Sequence, residues 1–293
     1  MGAMNAVVDR EPRQRFTPLP ARGGDMAYLD LGPQDRPVDV VFSHANGFNG
    51  RTYRSILAPL AETGLRILTL DLRGHGASTL PTPSEGWPGW HGFRDDLLAF
   101  LAETVEAPVI LAGHSMGGTT SLLAAAAEPA RVRALGLFDP VVFDASLARD
   151  PGDSGLVAGA LRRRADFPSR AAVLEAYTGR GAFRSWTPQQ LADYVEAGFR
   201  EADEGVTLAC TPAWEASSFR LHNYDPFAAF RDSRCPIRVL QAEHASTARF
   251  EGHEAELAAN PRISIEMLPG TTHFLPMERP ERVRETLAAL AAL

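Results

Sequence analysis

The segment PVILAGHSMGG, residues 108–118, decides the fold class of this 293-residue chain. Residues 108–112 are apolar and too few for a helix, as expected for a parallel strand that is buried on both faces. Residues 113–117 fit the pattern G-x-S-x-G, and a helix-like run follows them up to Ala127. A strand, a sharp turn and a helix in this order would expose the Ser115 hydroxyl at a helix N-terminus, where a nucleophile is expected.

Apolar strand-like runs and helical patterns alternate on both sides of this segment. The alternation predicts an α/β fold with a doubly wound, mostly parallel sheet. The other predicted strands are 38–43, 66–71, 134–138, 237–241 and 263–268, and the clearest predicted helices are 93–105, 117–127 and 280–290.

The alternation stops between residues 144 and 234. That stretch has helical patterns at 171–177 and 188–201 and scattered aromatic residues, but no buried strand. We therefore predict a core formed by residues 1–143 and 235–293, with a helical cap, 144–234, inserted over the carboxyl edge of the sheet.

Composition and charge narrow the range of partners. The net charge is −7 at pH 7, which argues against nucleic acid and anionic membranes as partners. No apolar run is long enough to cross a bilayer, and the N-terminal residues lack the apolar segment of a secretion signal. We expect a cytoplasmic protein that acts on a small molecule, and a homodimer is compatible with the sequence but not derivable from it.

Residue usage also excludes several kinds of chemistry. All 29 basic residues are arginines, so Schiff-base chemistry and a lysine-held pyridoxal cofactor are excluded. Cys210 and Cys235 form neither a disulfide framework nor a metal-ligand spacing. We expect no cofactor and no metal.

The best candidate for a general base is His273. A serine hydroxyl is a poor nucleophile until a base takes its proton, and in the predicted fold the base comes last in the chain. His273 lies in GTTHF, residues 270–274, directly after the last predicted strand. His44, His75 and His114 lie in turns next to the sheet, where hydrogen-bonded scaffold roles are more common.

The loop SHANGF, residues 43–48, is the candidate for part of an oxyanion hole. Acyl transfer places negative charge on an oxygen, and two preorganised N–H groups must face it. One is expected from the backbone of Met116, directly after the nucleophile. The second is expected from Asn46, with Ala45 and Gly47 as alternatives.

Four motifs together resemble the α/β-hydrolase superfamily, of the cap-bearing serine hydrolase or esterase type. They are SHANGF, DLRGHGAS at 71–78, GHSMGG at 113–118 and GTTHFLPMERP at 270–280. The resemblance implies that the cap follows the sixth strand and that Asp71 and His75 are structural. It also implies an acid after strand 237–241 in a pattern like G-x-x-D, but that position holds Ala245.

Two carboxylates are therefore candidates for the acid that orients the base. Glu243 lies two residues before the usual position, and strand alternation does not guarantee that it faces His273. Asp139 directly follows strand 134–138, and some members of the superfamily carry their acid there. We predict Asp139, with Glu243 as the alternative.

The sequence thus predicts a serine hydrolase that cleaves a small carboxylic ester, lactone or similar acyl compound through an acyl-enzyme. A C–C bond hydrolase could use the same three groups. Ala245 leaves a third interpretation open, a ligand-binding protein with little turnover on a hydrolase scaffold. Six aromatic residues are candidates for an apolar pocket lining or for core packing: Trp87, Trp90, Trp186, Trp214, Phe219 and Tyr224.

Overall fold

Parallel strands dominate the main sheet of the computed structural model, which describes residues 12–83, 86–144, 155–220 and 223–293. Its strands are β1 (Arg13–Leu19), β2 (Gly24–Leu31), β3 (Val40–Ser43), β4 (Ile67–Leu70), β5 (Val109–His114), β6 (Val132–Phe138), β10 (Ile237–His244) and β11 (Ile263–Thr272). They are ordered β1-β2-β4-β3-β5-β6-β10-β11, and every neighbouring pair from β4 onward is parallel. The predicted fold class is confirmed.

The antiparallel hairpin formed by β1 and β2 was not predicted from the sequence. Its outer strand β1 lies at the sheet edge, is mostly exposed and carries two arginines, and Phe16 on it is 52% exposed. Charged, short edge strands resist pairing with other chains, but they also lack the apolar run that reveals a central strand.

Alternate residues of the central strands divide between two apolar layers, one on each face of the sheet. Val41 and Leu111 belong to one layer, whereas Val40 and Ile110 belong to the other. The first layer packs against α2 (Trp90–Thr104) and α3 (Met116–Ala127), and the second against α1 (Arg54–Ala61) and α11 (Pro280–Ala291). Burial on both faces explains why these strands are apolar throughout.

The segment between β6 and β10 contributes no strand to the main sheet in its described residues. Its described residues form five α-helices and a separate three-stranded sheet ordered β7-β9-β8. The elements are α4 (Gly155–Leu161), β7 (Asp166–Phe167), α5 (Arg170–Tyr177), α6 (Pro188–Gly198), β8 (Phe199–Ala202), β9 (Gly205–Leu208), α7 (Pro212–Arg220) and α8 (Pro226–Asp232). Residues 145–154 of the predicted cap lie outside the described residues, and its boundaries stay a prediction.

The small sheet corrects one detail of that prediction. The helix predicted for 188–201 ends at Gly198, and Phe199–Ala202 continues as strand β8. Gly205, with φ +98°, starts the returning strand β9 and allows a tight turn that few other residues could adopt. Strands this short carry too few apolar residues to be distinguished from the end of a helix.

The remaining helices are α9 (Glu254–Ala259) and α10 (Leu275–Glu278), which flank β11. Among the described residues, no helix is both long and apolar enough to cross a membrane.

Candidate active site

Ser115 occupies the turn between β5 and α3, as predicted. Its backbone has φ 54° and ψ −121°, a strained conformation for a residue with a side chain. Gly117 allows the turn to be this tight, because a Cβ there would lie 2.1 Å from the Ser43 carbonyl oxygen. The Ser115 N–H donates to the Phe138 carbonyl at 3.1 Å and so ties the turn to β6. Strain held by such contacts fixes the direction of the hydroxyl.

His273 directly follows β11, and its imidazole lies between the serine and a carboxylate. Its Nε2 lies 3.0 Å from Ser115 Oγ, and its Nδ1 lies 2.6 Å from Asp139 Oδ2. Both distances allow hydrogen bonds, so the serine hydroxyl can donate to Nε2 while Nδ1–H donates to the carboxylate. The structure therefore brings together Ser115, His273 and Asp139.

Asp139 directly follows β6 and is fully buried. Three donors of the segment around the end of β10 hold its carboxylate: Ala242 N–H at 2.9 Å, Ser246 Oγ–H at 2.6 Å and Thr247 N–H at 3.0 Å. Burial by itself raises the pKa of this carboxyl, but the hydrogen bond and charge of His273, together with the hydrogen bonds from Ala242 and Ser246, outweigh burial and lower the pKa. The carboxylate is thus ionised and ready to stabilise an imidazolium.

Glu243 is not brought to His273. Its carboxylate accepts the Gly270 N–H at 2.7 Å on an exposed part of the surface. Ala245, at the position where an acid is usual, lies in a turn with φ +51°. The loop after β10 therefore supplies donors to the acid instead of the acid itself. Sequence reasoning missed Ser246 and Thr247, for which two adjacent hydroxyl residues at a strand end were the available signal.

The oxyanion loop has three candidate N–H groups, those of Ala45, Asn46 and Gly47, and two of them already have an acceptor. Ala45 N–H donates to the Tyr53 hydroxyl at 3.2 Å, and Gly47 N–H donates to His75 Nε2 at 3.0 Å. The Asn46 N–H has no protein acceptor in the described parts of the chain. Its side chain is anchored separately, since Nδ2 donates to the Glu215 carbonyl at 3.1 Å. Of the three alternatives, Asn46 is thus the backbone donor left for a ligand.

Met116 is the other predicted donor and is the first residue of α3. The N–H groups of the first turn of a helix have no partner within that helix. Together with Asn46, Met116 stays our prediction for the oxyanion hole. The positive end of the α3 dipole favours negative charge at the same place.

His44 and His75 brace the oxyanion loop rather than forming part of the reacting groups. His44 Nε2 accepts the Leu72 N–H at 2.9 Å, and His75 Nε2 accepts the Gly47 N–H at 3.0 Å. His44 of the oxyanion loop is thus bonded to segment 71–78, and His75 of that segment is bonded to the oxyanion loop. Asp71 also holds backbone N–H groups, of Gly50 and Ala77, and does not contact His273. The structure agrees with structural roles for Asp71 and His75.

The reacting side chains are mostly buried in this structure. Ser115 is only 7% exposed, and the His273 side chain is 21% exposed. Two surface depressions of about 580 and 360 Å³ lie instead beside β10 and β11, and neither is lined by any of the three predicted catalytic residues.

Of the aromatic residues considered for a pocket, Trp186 is the one whose ring meets neighbours of the predicted catalytic groups. Its ring lies 5.2 Å from Phe48 of the oxyanion loop and 6.5 Å from Phe274, which follows His273. Trp214 packs against Trp87 and donates to the Arg73 carbonyl. The other members of the set serve in packing: Trp90 stacks on Tyr224, and Phe219 joins a small apolar cluster of α4 and α7.

Several known proteins are similar to this chain in sequence or in fold. The chain is 24% identical over 242 residues to the 2-(acetamidomethylene)succinate hydrolase of Mesorhizobium japonicum, which covers 83% of this chain and 84% of that protein. It is 25% identical over 263 residues to the sn-1-specific diacylglycerol lipase ABHD11 of Mus musculus, with coverages of 86% and 80%. The crystal structure of E-2-(acetamidomethylene)succinate hydrolase superposes with a TM-score of 0.78 at 20% identity, over 97% of this chain and 100% of that one.

A model of the alpha/beta hydrolase family matches residues 40–286, which include all the predicted catalytic residues. The chain therefore belongs to the alpha/beta hydrolase family and is an enzyme of the hydrolase class.

Proposed function

We propose that the protein is a serine hydrolase that cleaves a small carboxylic ester, lactone or similar acyl compound through an acyl-enzyme. The observation that carries this proposal is the continuous chain from Ser115 Oγ through His273 to Asp139, with steps of 3.0 and 2.6 Å. A nucleophile, a base and a carboxylate that orients the base suffice for acyl transfer without a cofactor.

In the first half of the reaction, Ser115 Oγ bonds to the substrate carbonyl carbon while its proton passes to His273 Nε2. The carbonyl oxygen takes up the electron pair and becomes the oxyanion, which accepts from the Met116 and Asn46 N–H groups. Asp139 stays ionised and stabilises the imidazolium. The tetrahedral intermediate then collapses, and the leaving group takes the proton from Nε2.

In the second half, water enters where the leaving group was. His273 Nε2 takes a proton from the water as its oxygen bonds to the acyl carbon, and the same N–H groups hold the second oxyanion. Collapse breaks the bond to Ser115 Oγ, and the serine recovers its proton from Nε2.

The relatives support a substrate with an acyl group. One is named for a compound with an acetamido group, which is an acylated nitrogen, and another for a diacylglycerol, which is a carboxylic ester. Trp186, Phe48 and Phe274 suggest that an apolar part of the substrate is accepted next to the carbonyl. The ligand-binding alternative was raised because Ala245 stands where an acid is usual. Asp139 argues against it, since this residue offers His273 a carboxylate from the end of another strand.

A fluorophosphonate probe combined with a substrate panel tests the proposal. We expect stoichiometric labelling at Ser115 and turnover of at least one p-nitrophenyl ester or lactone. Turnover of vinylogous diketones alone, with no ester or lactone cleaved, would instead support a C–C bond hydrolase. An enzyme that neither labels nor turns over any member of the panel would contradict a serine nucleophile.

A further inference from the structure

The Tyr53 hydroxyl connects the oxyanion loop to the strand that carries the nucleophile. Tyr53 ends the short 3-10 turn before α1 and is fully buried, with its ring 4.6 Å from Phe42. Its oxygen accepts the Ala45 N–H at 3.2 Å, and it lies 2.8 Å from His114 Nδ1. Ala45 is the immediate neighbour of Asn46, whose N–H is our candidate oxyanion donor.

His114 extends this connection to the base. It is the last residue of β5, directly before Ser115, and it is fully buried. Its Nε2 lies 2.7 Å from the main-chain carbonyl oxygen of His273. His114 therefore contacts the base through the His273 carbonyl and also through its ring, whose centroid lies 4.9 Å from that of the His273 ring.

Only one arrangement of protons satisfies all these contacts on a neutral ring. A carbonyl oxygen can only accept, so His114 Nε2 must carry a proton and donate it to His273. Nδ1 is then an acceptor, so Tyr53 must donate its hydroxyl proton to Nδ1. The tyrosine oxygen keeps a lone pair for the Ala45 N–H. Burial lowers the pKa of His114 to about 3, so the ring is neutral at neutral pH.

We propose that Tyr53 and His114 are positioning residues that fix the oxyanion loop and the backbone of His273 relative to Ser115. The argument rests on the proposed serine hydrolase function. Tyr53 fixes the tautomer of His114, and His114 in turn fixes the carbonyl of His273. The three loops that supply the reacting groups are thereby joined through two buried side chains.

Loss of the Tyr53 hydroxyl should loosen the relative positions of these loops. In Tyr53→Phe the Ala45 N–H loses its acceptor, and His114 is free to move its proton to Nδ1. An unprotonated Nε2 would then face the His273 carbonyl, and two acceptors repel each other. A shift of about 1 Å at a reacting group can cost about 10²-fold in rate. We expect kcat to fall between about 10- and 100-fold. KM should change less than about twofold, since neither residue would touch the substrate.

The experiment compares Tyr53→Phe with Tyr28→Phe, a matched control. Tyr28 is also buried and packs against an aromatic ring, Phe100, but it lies on β2 near the far edge of the sheet. We would measure kcat, KM and the second-order rate of fluorophosphonate labelling at Ser115, with thermal unfolding as a check of folding. Tyr53→Phe should lower kcat and the labelling rate together, whereas Tyr28→Phe should leave both unchanged.

A second pair of variants tests the same idea at His114 and decides the matter if Tyr53→Phe does not fold. The amide N–H of His114→Gln can still donate toward the His273 carbonyl, whereas His114→Leu keeps bulk but no donor. We expect the glutamine variant to retain several-fold more kcat than the leucine variant, a difference that a purely packing role would not produce.

Three results would overturn the proposal: kcat of Tyr53→Phe within twofold of the wild type, a loss confined to KM, or equal kcat in the two His114 variants. These results differ from failure of the proposed function. If the wild-type enzyme is not labelled at Ser115, the serine mechanism itself is wrong. If the wild type and all variants label equally fast, only the positioning role is wrong.

Discussion

The Oδ2 atom of Asp139 lies 2.6 Å from His273 Nδ1, although one residue follows β6 and the other follows β11. Strand β10 lies between these two strands in the sheet. Asp139 therefore reaches across the end of β10, and its carboxylate meets the N–H groups of Ala242 and Thr247 on the way. The left-handed backbone of Asp139, with φ +44°, belongs to the same sharp turn.

Replacement of the nucleophile should abolish turnover without unfolding the protein. We expect Ser115→Ala to lower kcat by about 10⁴ to 10⁶, because it removes the oxygen that lies 3.0 Å from His273 Nε2. Steady-state kinetics and circular dichroism measure the two effects. Ser217→Ala is a matched control, since its hydroxyl donates to the Trp214 carbonyl within α7, away from the predicted catalytic residues. Activity of Ser115→Ala close to that of the wild type would refute the nucleophile.

The two candidate acids should respond differently to loss of charge. Asp139→Asn should lower kcat by about 10³ to 10⁴, because an amide favours the wrong tautomer of the base. Glu243→Gln should change kcat less than about threefold, because its contacts with the Gly270 N–H and His244 are exposed. Kinetics of both variants, each checked for folding, compare them directly. A large loss in Glu243→Gln with a mild effect in Asp139→Asn would reverse the assignment.

Gly47 should be intolerant of any side chain. It has φ +76°, and a Cβ there would lie 2.5 Å from the Glu215 carboxylate. We expect Gly47→Ala to lower the free energy of unfolding by more than the roughly 1 to 2 kcal/mol of left-handed backbone strain, and to lower kcat because the Asn46 N–H moves. Urea unfolding and kinetics measure both.

Gly252→Ala provides the comparison for Gly47. Gly252 has a similar φ of +85°, but nothing lies within 4 Å of a Cβ at that position. Its alanine variant should therefore show the backbone strain alone and keep full kcat. Equal losses of stability and activity in the two variants would mean that contact with the cap at Gly47 is unimportant.

Stability should rise with pH between about 4 and 6.5. Burial lowers the pKa of His75 to about 4 and of His114 to about 3, and it lowers the pKa of His44 well below the usual value. In this window the unfolded chain binds protons at these three rings and the folded chain does not, so unfolding becomes more favourable as the pH falls. Burial raises the pKa of Asp71 to about 6, which acts in the opposite direction but through one group only.

Urea unfolding at pH 4.5, 5.5, 6.5 and 7.5 tests this expectation. The contribution of these groups to the free energy of unfolding should increase up to about pH 6.5 and then level off. His75→Gln should make the rise less steep. A free energy of unfolding that is constant or decreases from pH 4.5 to 6.5 would show that the buried histidines do not determine how stability changes at acidic pH.

The sequence by itself determined those features that local patterns encode. An apolar run before Ser115 and a helical pattern after it were enough to place the nucleophile turn, since both patterns can be read from neighbouring residues. His273 was recognisable by its position directly after the last apolar strand. The buried parallel strands were visible because both of their faces are apolar.

Tertiary structure decided what depends on neighbours far apart in the chain. The sequence favoured Asp139 over Glu243 but left both open, and the contacts that bring Asp139 to His273 and hold it at Ala242 join residues more than 100 positions apart. Asn46 is singled out because Tyr53 and His75 occupy the N–H groups on either side of it. Such contacts leave no local periodicity in the sequence, because hydrogen bonding between strand ends depends on sheet order and loop conformation, which only the folded chain fixes.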